Sequence, residues 1–343
     1  MADDFTVEKL NLIGQGHAAF QLLYAGTQLN VFAILSEHPG LSMEELGKRL
    51  QLAPAPSYIL LTGLVALGVL TKKGDAYTNS ATAEKHLVPG KDDYRGGILG
   101  WQAHIVYPGL MDFVASLRAN TNLGLGRFPG EGKTLYERLA SHPELEKIFQ
   151  DSMSGLSKQA NRHLLDAVDF SEFRHVVDAG GGDGTNAIAI HRRYPSVKAT
   201  VFDRPTICAI AEKNVRDQKL EGKVFTHKGN FFTDAFPSGI DAVLLCHIVT
   251  IWSAERNELL FKRIYQALPS GGALIIFGMM GNDDGTGPIS TALGSPYFLA
   301  IATGEGMLHP WKTYEAALRN AGFKSLRRIE QLPLDHGVLI AKK

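Results

Sequence analysis

The residues best suited to chemistry form a glycine-rich loop in the second half of the chain. Val176-Val177-Asp178 predicts a strand, and Ala179-Gly180-Gly181-Gly182-Asp183-Gly184-Thr185 follows it directly before a helix. Glycines let backbone amides approach a ligand closely, and a helix N-terminus adds further free amides. A dinucleotide fingerprint would place a third glycine at position 185, where this chain has threonine. The loop therefore predicts a nucleotide-type site whose ligand lacks phosphates.

An acidic side chain closes the next strand. Asp203 stands twenty-one residues after Gly182, the spacing at which a carboxylate accepts both hydroxyls of a ribose. Gly229-Asn230-Phe231-Phe232 follows the strand after that. Turns use glycine freely, so the loop alone would be weak evidence. The three strand ends together indicate a binding site.

These motifs lie in an alternation of strands and helices that covers residues 171–343. Such a repeat predicts a parallel sheet with helices on both faces and a ligand at the carboxyl ends of its strands. The predicted strands are 176–177, 199–202, 224–227, 241–246, 273–277, 325–329 and 337–341, and the predicted helices are 187–194, 207–215, 254–268 and 314–321.

The first half of the chain is predominantly helical. Apolar residues recur at helical spacing from Phe20 to Leu35, and Ser42 with Glu45 forms a capping box before a helix over 43–50. A third helix over 56–67 precedes two short strands around residues 72–75. Helix, helix, helix and hairpin is the pattern of a winged helix.

A winged helix either reads DNA or packs against another subunit. The predicted recognition helix, 56–67, contains no Lys or Arg, so it lacks the contacts that DNA recognition requires. The helix over 20–35 is apolar around too much of its circumference for a solvated surface. We therefore expect a packing module and a homodimer.

Composition narrows the class of protein further. The 343 residues correspond to about two domains. Thirty-five basic residues balance thirty-five acidic ones, which disfavours nucleic-acid binding, and no apolar window is long enough to cross a membrane. The acidic start, with Asp3 and Asp4, is unlike a secretory signal. Two distant cysteines, Cys208 and Cys246, fit a reducing cytoplasm.

Five motifs in order resemble S-adenosylmethionine-dependent methyltransferases: residues 176–185, 201–205 and 229–232, Trp252, and Leu268-Pro269-Ser270-Gly271-Gly272. With its helical front half, the whole chain resembles the two-domain small-molecule O-methyltransferases of the plant caffeate type and of bacterial antibiotic tailoring. The resemblance implies an α/β fold with a C-terminal Rossmann-like sheet and an N-terminal winged-helix dimerisation domain. It implies dimerisation over 1–100, a helical pocket-lining linker over 101–170, and a catalytic domain over 171–343.

The resemblance also assigns cofactor contacts. It implies that Gly180 and Gly182 lie against the methionine part of S-adenosylmethionine, that Asp203 holds the ribose, and that Arg204 lies beside the adenine.

The resemblance extends to four further positions, of which Asn230 and Cys246 depart from the usual family residues. Asn230 and Phe231 stand where relatives have an aspartate and a hydrophobic residue at the adenine, and an Asn oxygen can still accept a hydrogen bond from the adenine amine. Cys246 occupies a position often held by Lys or Ser. Trp252 resembles the family tryptophan near the cofactor, with packing between helix and sheet as the alternative.

The catalytic position departs from the family. Most relatives carry a His-Asp pair directly before this tryptophan, and here those positions are Thr250 and Ile251. The carboxylates that orient the histidine are also replaced, by Gly278 and Leu308. Ionising a phenol of pKa near 10 at pH 7 requires about 4 kcal/mol, which a base normally offsets. Either another residue acts as base, or the acceptor atom needs no deprotonation.

His247 is the best candidate for a replacement base, because it directly follows the strand 241–246. A buried histidine with one hydrogen bond is the alternative. His309 could bind a substrate carboxylate or cap the helix after Pro310. His247, His309 and Glu305 could also hold a metal, as in relatives that methylate α-keto acids, but spacing alone assigns no metal ligand.

Further side chains are predicted to line the acceptor pocket, with core packing as the alternative for each. They are Trp101, His104, Tyr107, Met153, Thr250 and Tyr297, the last in a glycine-rich insertion over 281–303 that is predicted to act as a lid.

Three functions stay open at this point. The first is O-methylation of a small hydroxylated or acidic molecule. The second, favoured by the missing base, is S-methylation of a thioether or C-methylation of an α-keto acid. The third is a cofactor-binding regulator without catalysis, which the complete glycine loop and Asp203 disfavour.

Overall fold

The computed structural model describes residues 5–343, apart from the side chain of Asn161, and they form two compact units that divide after Ala103. The acidic start discussed above lies outside these residues. The predicted three-part division at residues 100 and 170 stays a prediction.

The first unit contains the predicted helices and hairpin. Its elements are α1 (Val7–Gly14), α2 (Gly16–Gln28), α3 (Val31–Glu37), α4 (Met43–Leu50), α5 (Pro54–Ala66), β1 (Leu70–Lys73), β2 (Ala76–Asn79), α6 (Ala81–His86) and α7 (Gly96–Trp101). The capping box of α4 is present, with the Ser42 amide donating to Glu45 Oε2 at 2.8 Å. In the described part of the chain, no single helix is long and apolar enough to cross a membrane; α2 and α3 reach that length only as a bent pair.

The single helix predicted over 20–35 is wrong, because the chain breaks between α2 and α3. Asn30 has a left-handed φ of 57°, a conformation that asparagine tolerates better than most residues. The break turns Phe32 back onto Gly26, where a Cβ would lie only 3.0 Å from the ring tip. Phe32 thereby joins Val31, Leu35 and Leu61 in the core of this unit.

The second unit is built on a seven-stranded sheet of order β5-β4-β3-β6-β7-β9-β8. The strands are β3 (His175–Ala179), β4 (Lys198–Asp203), β5 (Val224–Lys228), β6 (Ala242–Cys246), β7 (Ala273–Met279), β8 (Ser325–Leu332) and β9 (His336–Lys342). The first five are parallel, while β9 runs antiparallel to both β7 and β8. Strand order reverses between β3 and β6, which is where ligands bind in such sheets. The predicted parallel sheet is confirmed.

Helices cover both faces of this sheet: α11 (Pro143–Ala167), α12 (Thr185–Arg193), α13 (Pro205–Asp217), α14 (Ala254–Ala267) and α16 (Trp311–Ala321). The second unit also contains α8 (Tyr107–Gly109), α9 (Phe113–Ala119), α10 (Leu135–Leu139) and α15 (Ile289–Tyr297). Successive strand residues alternate between faces: Leu245 packs in a cluster with Phe261 of α14, and Leu244 packs in one with Leu164 of α11. Each such buried side chain contributes about 2 kcal/mol, so the sheet is a rigid platform for its carboxyl edge.

The insertion over 281–303 is mostly helical. It contains α15 and a π-helix over Phe298–Ala302. At its last residue, the Thr303 hydroxyl donates a hydrogen bond to the Ile251 carbonyl. The segment is therefore tied to the turn that follows β6. Its role as a lid stays a prediction.

Candidate functional site

The glycine loop leaves β3 and enters α12 in a form that needs glycine. Gly180 has a φ of +77°, and a Cβ there would lie 2.3 Å from the Cδ1 atom of Ile248. Gly182 has a φ of +58°, but a Cβ there would meet no atom within 4 Å. The loop therefore packs against the segment after β6 at Gly180, while the space beside Gly182 is open and can admit a ligand.

The carboxylate of Asp203 lies beside this loop, as predicted. Its Oδ2 accepts a hydrogen bond from the Gly182 amide at 3.1 Å, and its Oδ1 accepts one from the Arg204 amide at 2.7 Å. Burial raises the pKa of Asp203, and these two hydrogen bonds act in the opposite direction. Arg204 Nη1 donates to the carbonyl of Tyr136 on α10 at 3.3 Å. The structure therefore brings the loop, Asp203 and Arg204 together.

Asp178 is a functional candidate that was missed at the sequence level. Its side chain is only 1% exposed, and neither carboxylate oxygen has a hydrogen-bond partner of good geometry among residues 5–343. Burial, reinforced by the charge of Asp203, raises the pKa of Asp178 to about 7. The signal was available, because a carboxylate directly precedes the glycines. An orphaned carboxylate fits a ligand that brings an ammonium group, as the methionine part of S-adenosylmethionine does.

The turn after β5 holds Asn230 and Phe231. Asn230 Oδ1 accepts from the Phe232 amide at 2.9 Å, so one lone pair of this oxygen is already used and the other stays available for adenine. The Phe231 ring lies near Gly180, with Cε1 3.6 Å from where a Cβ would stand. Phe231 therefore lies beside the loop, and the contacts of both residues with adenine stay predictions.

Cys246 is buried, and Trp252 is partly buried against the core of the second unit. The Cys246 thiol is free and buried, and burial raises its pKa. The Trp252 ring lies edge-on to Phe232 with centroids 5.0 Å apart, and the Arg256 guanidinium lies 4.3 Å from its centroid. This arrangement agrees with the packing alternative for Trp252, and a cofactor contact for either residue stays a prediction.

The position of the family base is filled by a short 3-10 turn, Val249–Ile251. The buried Thr250 hydroxyl donates to the His247 carbonyl at 3.3 Å. Above the turn, a Cβ on Gly306 would lie 2.4 Å from the carbonyl oxygens of both Thr250 and Ile251. The turn is closely packed and carries no titratable side chain, so the structure offers no base at the position where most relatives have one.

His247 lies at the carboxyl edge of the sheet in an unusual backbone conformation. Its φ is +57°, which is uncommon for a residue other than glycine, and its amide donates to the Phe277 carbonyl at 2.9 Å. The Nε2 atom is buried and has no hydrogen-bond partner in the described part of the chain. Burial, and next the neighbouring His336, lowers the pKa of His247 to about 3. The imidazole is therefore neutral at pH 7.

His336 is a second missed candidate. It begins β9 opposite Met279 of β7, and its ring centroid lies 5.0 Å from that of His247. Its Nε2 is also buried without a partner among residues 5–343. No local motif marks this residue, since only the antiparallel return of β9 brings it to the carboxyl edge.

The two side chains suggested to bind a metal together with His247 already contact other groups of the protein. His309 Nε2 contacts the Trp252 carbonyl at 3.3 Å, and Glu305 forms an ion pair with Arg256 at 3.1 Å. Within residues 5–343, no three His, Cys, Asp or Glu side chains come together as a metal site. The suggested grouping of His247, His309 and Glu305 is not found there.

The predicted pocket residues are spread over both units. Trp101 ends α7 in the first unit, whereas His104, Tyr107 and Met153 lie in the second, on a π-helix over Gln102–Val106, on α8 and on α11. Tyr297 ends α15 and is 4% exposed. It faces Tyr136, a residue missed in the sequence, whose pKa is raised by burial to about 12 despite the hydrogen bond from Tyr297.

Comparison with known proteins decides the family. Residues 109–324 match an O-methyltransferase domain, and residues 12–89 match an O-methyltransferase dimerisation domain. The chain belongs to the O-methyltransferase family. This methyltransferase is 39% identical to the L-tyrosine C(3)-methyltransferase of Streptomyces lavendulae over 98% of this chain and 93% of that one. It is 32% identical to the 3-hydroxy-5-methyl-1-naphthoate 3-O-methyltransferase of Streptomyces sahachiroi over 90% and 87%.

A solved structure agrees with these relatives. The S-adenosylmethionine-dependent methyltransferase SibL in its apo form superposes with a TM-score of 0.85 and 38% identity, covering 98% of this chain and 99% of that one. The methyltransferase therefore uses S-adenosylmethionine and transfers its methyl group to a small molecule. The alternative of a regulator without catalysis is set aside.

Proposed function

We propose that this enzyme methylates an aromatic ring carbon next to a phenolic hydroxyl, with L-tyrosine or a similar phenolic amino acid as acceptor. The observation that carries the proposal is the similarity to an L-tyrosine C(3)-methyltransferase along nearly the whole chain. The site at residues 250 and 251 supports it, because it lacks the base that most O-methylating relatives use and therefore differs from theirs.

The chemistry balances without an oxidant or a metal. S-adenosylmethionine, when bound, supplies a methyl group on a positively charged sulfur. As the phenol gives up its hydroxyl proton, the ring carbon beside it becomes nucleophilic and takes the methyl group. The proton on that ring carbon then leaves, the ring becomes aromatic again and the oxygen regains a proton. One proton is released overall, and S-adenosylhomocysteine is the second product.

The chain's own groups divide this work along the sheet edge. Asp203 accepts the ribose hydroxyls, Asp178 faces the ammonium of the methionine part, and Arg204 with Phe231 borders the adenine. Gly180 and Gly182 let the loop backbone approach the ligand. The phenolic hydroxyl of the acceptor lies against the imidazole of His247, whose buried Nε2 otherwise has no partner within residues 5–343.

The proposal extends to assembly and location. The match to a dimerisation domain, together with Tyr58 and Ile59 of α5, which are 60% and 66% exposed, supports a homodimer formed through the first unit. The buried free thiols Cys208 and Cys246 support a reducing cytoplasm.

Isotope labelling tests the atom that is methylated. The enzyme is incubated with S-adenosylmethionine and L-tyrosine deuterated at both ring positions beside the hydroxyl. C-methylation replaces one deuteron, whereas O-methylation retains both, and mass spectrometry separates the two products. O-methyltyrosine is the matched control, since blocking the hydroxyl prevents the proposed reaction. Retention of both deuterons in the product, or methylation only of thioethers or α-keto acids from a parallel panel, would refute the proposal.

A further inference from the structure

Two imidazoles, the half-buried His247 and the buried His336, face each other at the carboxyl edge of the sheet. His247 follows β6 and His336 begins β9, and their rings meet edge to face at an interplanar angle of 85°. Phe277 of β7 contacts both rings, with centroid distances of 5.6 Å and 5.0 Å. Three strands therefore fix this pair in place.

The pair differs from His175 and His309, two buried histidines of the same unit. His175 places Nε2 at 2.8 Å from the Thr200 hydroxyl, and His309 places Nε2 at 3.3 Å from a carbonyl oxygen. The Nε2 atoms of His247 and His336 are buried without any such partner in the described residues. Buried polar atoms are almost always hydrogen-bonded, so two orphans side by side indicate a ligand that completes them.

The backbone at His247 supports the same conclusion. A φ of +57° is strained for histidine, and strained residues cluster at binding and catalytic sites. With this backbone conformation the ring packs against Phe277 of β7 and His336 of β9. A Cβ on Gly278 would stand 3.6 Å from His247 Nδ1, so the ring lies directly against the strand there.

The tautomer of His336 is fixed by its surroundings. Its Nδ1 lies 2.9 Å from the Leu334 carbonyl oxygen, which can only accept a hydrogen bond. Nδ1 must therefore carry the proton, and Nε2 of the neutral ring presents a lone pair. A carbonyl that accepts from Nδ1 also stabilises the ring when Nε2 gains a proton. His336 is thus oriented as a proton acceptor, and His247 is free to adopt the tautomer that donates from Nε2.

We propose that His336 and His247 together hold the phenolic hydroxyl of the acceptor, with His336 Nε2 taking its proton and His247 Nε2–H donating to the oxygen. This inference rests on the proposed function, because it needs a phenolic acceptor. The proton moves from the phenol oxygen to His336 Nε2, and His336 returns it to the oxygen once the ring carbon has lost its own proton to solvent. His336 then acts as a catalytic residue at a position where no family motif lies.

Titratable groups near His336 act on its protonation in both directions. His163 of α11 opposes its protonation, while Asp335, whose Oδ2 accepts from the Ser290 hydroxyl at 2.6 Å, favours it. The ring also faces the His247 imidazole. Burial lowers the pKa of His336 in the ligand-free chain. A phenolate that forms against Nε2 supplies the opposite charge that protonation requires.

The test compares acceptors of different acidity. Turnover of the wild type and of His336→Asn is measured with L-tyrosine and with ring-fluorinated tyrosines, whose phenols are more acidic. We expect a loss of about a hundredfold with tyrosine, the scale of a missing general base, that shrinks steadily as the phenol becomes more acidic. A structural defect would lower turnover by the same factor for every acceptor.

A second readout avoids turnover altogether. A fluorinated tyrosine is bound in the presence of S-adenosylhomocysteine, and the absorbance of its phenolate is followed against pH. The wild type should ionise the bound phenol at lower pH than His336→Asn does. His175→Asn, at the amino edge of the same sheet, is the matched control for loss of a buried histidine and should behave as the wild type. His336→Gln serves if the Asn variant fails to fold.

The outcomes separate the two proposals. If the wild type methylates no phenol at carbon, the proposed function fails. If the wild type does so and His336→Asn shows an unchanged ionisation curve, or a loss independent of acceptor acidity, the proposed function stands and the role of His336 is refuted.

Discussion

The two halves of the sheet's carboxyl edge are built on different principles. At the end of β3 and β4, the glycine loop, Asp203 and Arg204 follow a local pattern and bond to one another directly. At the end of β6 and β7, the family base position holds a closely packed turn, and the available imidazoles come from residues almost ninety positions apart in the chain. In our proposal one half binds the cofactor that the whole family shares, and the other binds an acceptor that differs between members.

This difference teaches where a sequence motif is informative. A shared ligand favours short local motifs, and the proposed cofactor contacts come from the glycine loop and from the ends of the two strands that follow it in the chain. A variable ligand is bound by side chains that the fold gathers from several strands. We expect variants on the first half to change cofactor affinity and variants on the second to change acceptor chemistry, and four predictions test that separation.

The largest effect is expected at Asp203. Asp203→Ala removes the acceptor of two ribose hydroxyls, and two charge-assisted hydrogen bonds of about 1.5 kcal/mol each correspond to about a hundredfold loss of S-adenosylmethionine affinity. Isothermal titration calorimetry measures this. Asp217→Ala, at the exposed end of α13, should bind as the wild type. An affinity loss below about threefold would contradict the assignment of Asp203 to the ribose of the cofactor.

A smaller effect is expected at Asp178. With a pKa of about 7 in the folded chain and near 3.9 when unfolded, this carboxyl keeps a proton in the fold that the unfolded chain loses. The free energy of unfolding should therefore fall as pH rises from about 4 to about 7. Asp178→Asn should be more stable than the wild type at pH 8, by on the order of 2 kcal/mol, and bind the cofactor less tightly. Urea denaturation across this pH range checks the sign.

The acid range tests His247 in the same way. Its pKa is about 3 in the fold and near 6.5 when unfolded, so the unfolded chain gains a proton that the folded chain does not. The free energy of unfolding should fall as pH drops from about 6.5 to about 3. His247→Asn keeps a residue that tolerates positive φ and should reduce this loss by about 2 kcal/mol at pH 4. Parallel curves for both proteins would show that the imidazole is not shielded from solvent.

The smallest effect is expected at Gly306, which covers the turn where the family base would stand. In Gly306→Ala the new methyl group meets two carbonyl oxygens, so the segment must shift at a cost of about 1 kcal/mol. The acceptor KM should rise while cofactor affinity stays unchanged. Gly126→Ala, where a Cβ meets no atom within 4 Å, is the control. A change in cofactor affinity alone would contradict the proposed division of the edge.

The sequence predicted the parts of this molecule that depend on neighbours in the chain. The strands and the capping box of α4 follow from short-range patterns, and the role of Asp203 at the ribose stays a prediction. The break at Asn30 was missed because apolar spacing continues across it, and only the packing of Phe32 on Gly26 decides the turn. His336 could not be recognised, since its position depends on the register of β9 against β7.

That register has a practical consequence for anyone who labels the protein. Because β9 runs against β7, its first residue reaches the reacting side while Lys343 ends at the far side, where its amide donates to Gly272 and its carbonyl accepts from Gly271. A fluorophore attached at position 343 would lie about a full strand length from the carboxyl edge of the sheet and should not hinder the entry of substrates.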